Sequence, residues 1–175
     1  MQIKDSTKAL RHFLPMSADL NIKPLEARHS AQSYPLAQMI LPQLSLSEWL
    51  RYVEEIGKPN AFNHGGIVAA YSKRGYIHGL FAYVVGPDAL HGKVLMVDNF
   101  IAFEIPAHRS VTQALLSKID TLARCYDCRA AHVQLPAGAL RSNGESNILV
   151  EAFEAHGHNL QRVGLCKQFE KRAPF

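Results

Sequence analysis

The stretch richest in potential chemistry runs from Glu104 through Ile105, Pro106, Ala107, His108 and Arg109 into Ser110, where an apolar run gives way to helical spacing. A helix start carries unpaired backbone N–H groups and positive partial charge, so a strand-to-helix turn is a ready phosphate site. Ser110 and Gln113 have capping-box spacing, which sets the free N–H groups of Val111, Thr112 and Gln113 at this turn. His108 and Arg109 would add donors and charge. A self-capped helix with two exposed basic residues is the simpler reading of the same pattern. Just upstream, Asp98 and Asn99 interrupt the apolar run Val94 to Phe103. Two adjacent polar residues are unexpected in a strand covered on both faces, so the strand end is wet, or Asp98 pairs with a nearby lysine, or the pair serves chemistry.

Cys125 and Cys128 form a C-x-x-C, a spacing that suits a redox couple or half of a zinc site. This pair follows a predicted helix instead of opening one, and no second ligand pair stands at zinc spacing, so the thiols read as structural and no metal is expected.

These residues must be held by an alternation of strands and helices without a linker, repeat or low-complexity tract. After a polar arm, residues 1–19, the spacing predicts a strand over Leu20 to Leu25 and helices over Ser30 to Ile40 and Ser45 to Ile56. Ser45 and Glu48 are spaced as a capping box, and Leu46, Leu50 and Val53 fall on one helical face. Ile67 to Ser72 and Tyr76 to Val85 read as a hairpin stopped by Gly86 and Pro87. Val94 to Phe103 reads as a central strand, and Val111 to about Cys125 as an amphipathic helix. Ala130 to Leu135 is a short strand, Ile148 to His156 a helix closed by Gly157, and Leu160 to Phe169 a last strand. The order β-α-α-β-β-β-α-β-α-β is that of one mixed α/β domain over residues 20–175.

The bulk properties fit one core: 175 residues, 47% hydrophobic and 19% charged, with a formal charge of +4. No apolar run reaches the roughly 18 residues that cross a bilayer, and the first residues lack a signal-peptide segment, which makes a cytoplasmic protein with no membrane partner the expectation. Basic residues are scattered despite a pI near 9.0, and without a basic cluster or interleaved aromatics no nucleic-acid partner is expected.

The run Val97-Asp98-Asn99-Phe100-Ile101-Ala102-Phe103-Glu104-Ile105-Pro106 resembles the fourth strand and following turn of the GNAT superfamily of acyl-CoA-dependent N-acyltransferases. Ala107-His108-Arg109-Ser110-Val111-Thr112 then stands where that family has its pyrophosphate motif Q/R-x-x-G-x-G/A, followed by Gln113-Ala114-Leu115-Leu116. Ala107 replaces the Gln or Arg, and Ser110 and Thr112 replace the glycines. The resemblance covers Leu20 to Phe169 and implies an α/β fold with a mixed, mostly antiparallel central sheet and helices on both faces.

The resemblance further implies acetyl-CoA or another acyl-CoA as co-substrate. Its pantetheine would lie along Phe100, Ile101 and Ala102, and its pyrophosphate at His108, Arg109, Ser110, Val111, Thr112 and Gln113. Asp98 and Asn99 stand where the family often places its general base. Trp49, Tyr52 and Phe62 would line the acceptor pocket, with His78 projecting into the same cleft, although each aromatic also reads as core and His78 as an ordinary sheet histidine. Phe153 occupies the position of the family's frequent tyrosine acid and has no hydroxyl with which to protonate a thiolate.

Transfer of an acetyl group to a primary amine of a small molecule or peptide is the leading expectation. A catalytically inactive acyl-CoA sensor or interaction module is the alternative, and a homodimer is compatible with the sequence without being demanded by it.

Overall fold

The computed structural model describes residues 20–58, 64–104, 110–135 and 148–160. Its elements are β1 (Asn21–Pro24), α1 (Ser30–Ile40), α2 (Leu46–Ile56), β2 (Gly65–Tyr71), β3 (Ile77–Asp88), β4 (Gly92–Ala102), α3 (Val111–Cys125), β5 (Ala130–Val133) and α4 (Ile148–Ala155). The expected last strand falls almost entirely beyond the described residues, as does the arm 1–19. The strands form one sheet in the order β1-β2-β3-β4-β5. The first four are antiparallel neighbours, and β5 joins β4 in parallel through the crossover helix α3.

Local chemistry sets the helix ends. Ser45 accepts the N–H of Glu48 at 3.3 Å while the Glu48 carboxylate accepts the N–H of Ser45 at 2.9 Å, the reciprocal cap that the sequence predicts. Gly157 follows α4 with φ of +92°, the left-handed conformation that favours glycine after a helix.

The sheet is covered on both faces where β2 and β3 lie. Val68, Ala70 and Phe81 point to one side and join Phe100, Val111, Leu115, Leu116, Ile119 and Phe153 beneath α3 and α4. Ile67, Ala69, Tyr71, Leu80 and Ala82 point to the other and meet Ala37 of α1 and Trp49 of α2. Such alternation follows from the two-residue period of a strand. Gly79 permits the close seating of α3: a Cβ there would lie 2.6 Å from the Ile101 carbonyl oxygen and 2.8 Å from Val111 Cγ1.

Three sequence expectations change. β3 continues through Gly86 and Pro87 to Asp88. β2 ends its pairing at Val84, so the edge of β3 that faces β2 has no ladder bond for Pro87 to lose. Leu46 and Leu50 of α2 are exposed, and Trp49 is the residue fully buried, with Tyr52, Val53 and Ile56 packed around its cluster. β4 is not covered on both faces along its length, since Met96 and Asp98 are exposed on the side away from α3.

Candidate functional site

β4 departs from regular geometry at the two polar residues. Asn99 has φ of +52°, and the register with β3 jumps between Ala82↔Asp98 and Leu80↔Ile101. Asn tolerates the left-handed region better than most residues, because its short amide bonds locally, so the polar pair is what makes a bulge affordable here. The Asp98 carboxylate accepts the Asn99 N–H at 2.7 Å and holds the bend.

The bend separates two neighbours. β5 pairs with β4 from Val94 to Val97, and Gln134 N–H still reaches the Val97 carbonyl at 2.9 Å. Past Asp98, no described strand lies along that edge of β4. Phe103 donates its N–H to the His78 carbonyl at 2.7 Å, so by alternation the backbone groups of Phe100 and Ala102 face the edge that β5 leaves. Their side chains do something else: Phe100 is buried in the α3 core and Ile101 in the α1–α2 core. Any binding by this segment is therefore through backbone.

Tyr52 comes from α2 to the same bulge, where its hydroxyl accepts a hydrogen bond from Asn99 Nδ2 at 3.2 Å. Burial raises the Tyr52 pKa, the Asn99 bond opposes that and the Asp98 charge adds to it, so the phenol keeps its proton. Asp98, Asn99 and Tyr52 thus form one polar group, with the Asp98 side chain open to solvent. An exposed carboxylate beside a protonated phenol can take a proton from an incoming amine and offer a donor to a carbonyl oxygen.

Trp49 and Phe153 are core residues in this structure. Trp49 is fully buried, its indole N–H shared between the Ser30 carbonyl at 2.9 Å and Ser33 Oγ at 3.0 Å, so it is a core residue that supports Tyr52 from 5.7 Å between ring centroids. His78 stands on β3 next to the end of β4. Phe62, His108 and Arg109 lie outside the described residues. Phe153 is buried edge-to-face against Phe100, with ring centroids 4.9 Å apart, which is a packing role.

The start of α3 is as the capping pattern predicts in one respect: Ser110 Oγ accepts the Gln113 N–H at 3.2 Å. The expected free N–H groups are not free. Glu104 Oε2 accepts from Val111 N at 3.0 Å, while Oε1 accepts from Thr112 N at 2.9 Å and from Ser110 Oγ at 2.8 Å. Burial works to raise the Glu104 pKa, but the bonds from Thr112, Ser110 and Val111 outweigh it and hold the carboxyl below its usual value. A carboxylate of the chain itself occupies the anion position. The residue was in plain view in the sequence, and the pull of a helix N-terminus on any nearby anion was the signal that pointed to it.

Cys125 ends α3 and Cys128 follows in the next turn; both are free thiols, and burial raises the pKa of Cys128. No helix among the described residues is long and apolar enough to cross a membrane.

No protein-family model matches the sequence, and no curated protein matches it significantly. Solved structures do match. An aminoglycoside N-acetyltransferase in complex with CoA superposes with a TM-score of 0.67 at 17% identity, covering 91% of this chain and 99% of that one. Glucosamine-6-phosphate N-acetyltransferase from Arabidopsis thaliana gives 0.64 at 13% identity, with coverage of 87% and 99%. A transcriptional regulator from Bacillus halodurans C-125 gives 0.67 at 14% identity, with coverage of 86% and 100%.

Proposed function

The chain has the GNAT acyltransferase fold, and on that premise we propose that it transfers an acetyl group from acetyl-CoA to a primary amine at the β4 bulge. The observation that carries this reading is the convergence, at one bend, of a backbone edge at Phe100 and Ala102, along which no described strand lies, with the Asp98, Asn99 and Tyr52 side chains. That edge suits the amides of a pantetheine arm, which can pair with a strand as a further strand would. The exposed Asp98 carboxylate, directly or through a water, takes the proton as the amine attacks the thioester carbon. The C–N bond forms, the C–S bond breaks, and CoA leaves as a thiolate that takes its proton from solvent, since Phe153 offers none. The CoA complex and the amine-acetylating names among the structural neighbours favour this chemistry; at 13–17% identity they do not reach the acceptor.

The pyrophosphate would sit at the start of α3, where Glu104 now lies, and the two anions exclude each other. Binding in this mode therefore requires the Glu104 side chain to swing out. The second reading is a GNAT domain that has lost catalysis and serves as an acyl-CoA sensor or interaction module, and this same contact favours its interaction-module form.

One experiment separates them. Incubation of acetyl-CoA with a panel of aminoglycosides, polyamines, amino acids and peptide N-termini should release free CoA with at least one acceptor. Thermal stabilisation by acetyl-CoA without any such release selects the sensor, and failure of CoA to bind removes transferase and sensor together and leaves the interaction module.

A further inference from the structure

At the other end of β4 from this site, three side chains converge that no step above uses. Asp88 closes β3, His91 lies in the turn to β4, and His132 stands on β5 opposite Met96. We propose that Asp88, His91 and His132 form a binding site for one divalent transition-metal ion, with zinc as its best match.

The distances fit. His91 Nδ1 lies 3.2 Å from Asp88 Oδ1 and 3.2 Å from His132 Nε2. Zinc bonds of about 2.0–2.1 Å in a tetrahedron place neighbouring ligand atoms about 3.3 Å apart. The third side is wider: one ligand atom from each residue lies within 4.8 Å of both others, and Asp88 Oδ2 stands 3.9 Å from His132 Nδ1, so a small turn of the His132 ring closes the set around an ion. The two imidazoles meet edge-on, 78° between planes, so lone pairs lying in the ring planes converge without the rings stacking.

Hydrogen bonding alone satisfies this arrangement poorly. If His91 Nδ1 carries a proton, that proton must serve Asp88 Oδ1 and His132 Nε2 at once; if it carries none, its lone pair faces the Asp88 carboxylate. A cation meets all three groups as an acceptor of lone pairs. The Asp88 carboxylate is pre-set, since Oδ1 takes the N–H groups of Leu90 at 3.0 Å and His91 at 2.9 Å and so fixes the turn.

Side-chain exposures of 26% for His91, 11% for Asp88 and 28% for His132 leave an approach for the ion and for water as a fourth ligand. Two imidazoles with one carboxylate favour zinc and its neighbours over magnesium or calcium. Lys93 borders an adjoining open pocket that shares Asp88, and its charge opposes any cation held by electrostatics alone. The ion would tie the four-residue strand β5 to the β3–β4 hairpin. Sequence spacing hid the site, because His132 is 41 residues from His91 and only the parallel pairing of β4 with β5 joins them.

The test uses untagged full-length protein, stripped with a chelator and titrated with zinc chloride by calorimetry and by thermal melting. One zinc per chain and a raised Tm are expected, both lost in His91→Ala and in His132→Gln and both kept in the double variant Cys125→Ser/Cys128→Ser. Circular dichroism of the metal-free variants matching the parent ensures that the loss is of ligands and not of fold. Magnesium chloride should leave the melting temperature unchanged. Absence of zinc uptake, uptake that survives in both histidine variants, or its loss in the cysteine variant would each overturn the assignment.

Discussion

The Glu104 carboxylate receives the backbone N–H of Thr112 at 2.9 Å, so the helix start that suits a phosphate is already neutralised from within. Removing this carboxylate should act in opposite directions on stability and on binding. Glu104→Ala is expected to cost about 1 kcal/mol of folding stability, the usual scale of a lost N-terminal cap, measured by urea denaturation. The same variant should bind CoA more tightly than the parent, because the competing anion is gone. Weaker CoA binding in Glu104→Ala would show that the carboxylate orders the site and does not block it.

The pH dependence of that contact has a definite sign. The folded carboxyl of Glu104 is held below its usual value, so its stabilisation is present above the ordinary glutamate range and is lost as pH falls through the folded value. The stability difference between the parent and Glu104→Gln should shrink towards zero on acidification. A difference that persists unchanged at low pH would trace the effect to the amide's geometry and not to charge.

Much of the fold was legible because its signals are local. The capping residues Ser45 and Glu48, the helical stripe Val111 to Ile119 and Gly157 each act within a few positions, and the helices begin and end where they say. The bulge was half legible: Asp98 and Asn99 marked the place, but a left-handed Asn99 and the parting of β5 depend on how β3 and β5 pair with β4. Burial was less legible. Leu50 and Trp49 are adjacent and both apolar, and only the direction of α2 on the sheet decides that Trp49 goes in and Leu50 stays out. The Glu104 cap was not legible from the basic residues His108 and Arg109, which are what a phosphate would need, because the helix start itself attracts the acidic residue.

Trp49 is the single tryptophan, which makes its structural role directly measurable. Its indole N–H satisfies two buried acceptors, so Trp49→Phe should cost about 1–3 kcal/mol, the scale of a buried polar group left unpaired, with smaller effects on the acceptor KM. In the parent protein, emission should be blue-shifted and resistant to acrylamide quenching. Ready quenching, or a selective rise in acceptor KM with stability intact, would return Trp49 to the substrate pocket.

His158 packs edge-on against Phe153 at 5.1 Å, and its Nδ1 is buried without a hydrogen-bond partner among the described residues. Burial lowers its pKa from the ordinary 6.5, with Asp120 opposing and His156 reinforcing the shift. Since the unfolded chain takes up the proton first, the stability held above pH about 6.5 should decline as pH falls from there through the folded value. His158→Gln should flatten that decline in melting curves recorded between about pH 7 and 5. An identical slope in parent and variant would assign the acid sensitivity to another group.

Asp98 and Tyr52 decide whether the polar group at the bulge performs chemistry. Among the described residues the Asp98 carboxylate accepts the Asn99 N–H at 2.7 Å and otherwise lies open to solvent, so Asp98→Asn preserves shape while removing the base. Acetyl-CoA affinity should stay nearly unchanged and turnover should fall by about 10²-fold or more. Tyr52→Phe removes the acceptor of Asn99 Nδ2 and the donor offered to the substrate, and should lower turnover with a stability loss of about 1 kcal/mol. The two substitutions meet through Asn99, so their effects on turnover should be less than additive in the double variant. If Asp98→Asn abolishes CoA binding, the carboxylate serves the bulge and not the reaction. If it leaves turnover unchanged at every pH, proton removal belongs to another group, and the bulge serves only to open the edge of β4.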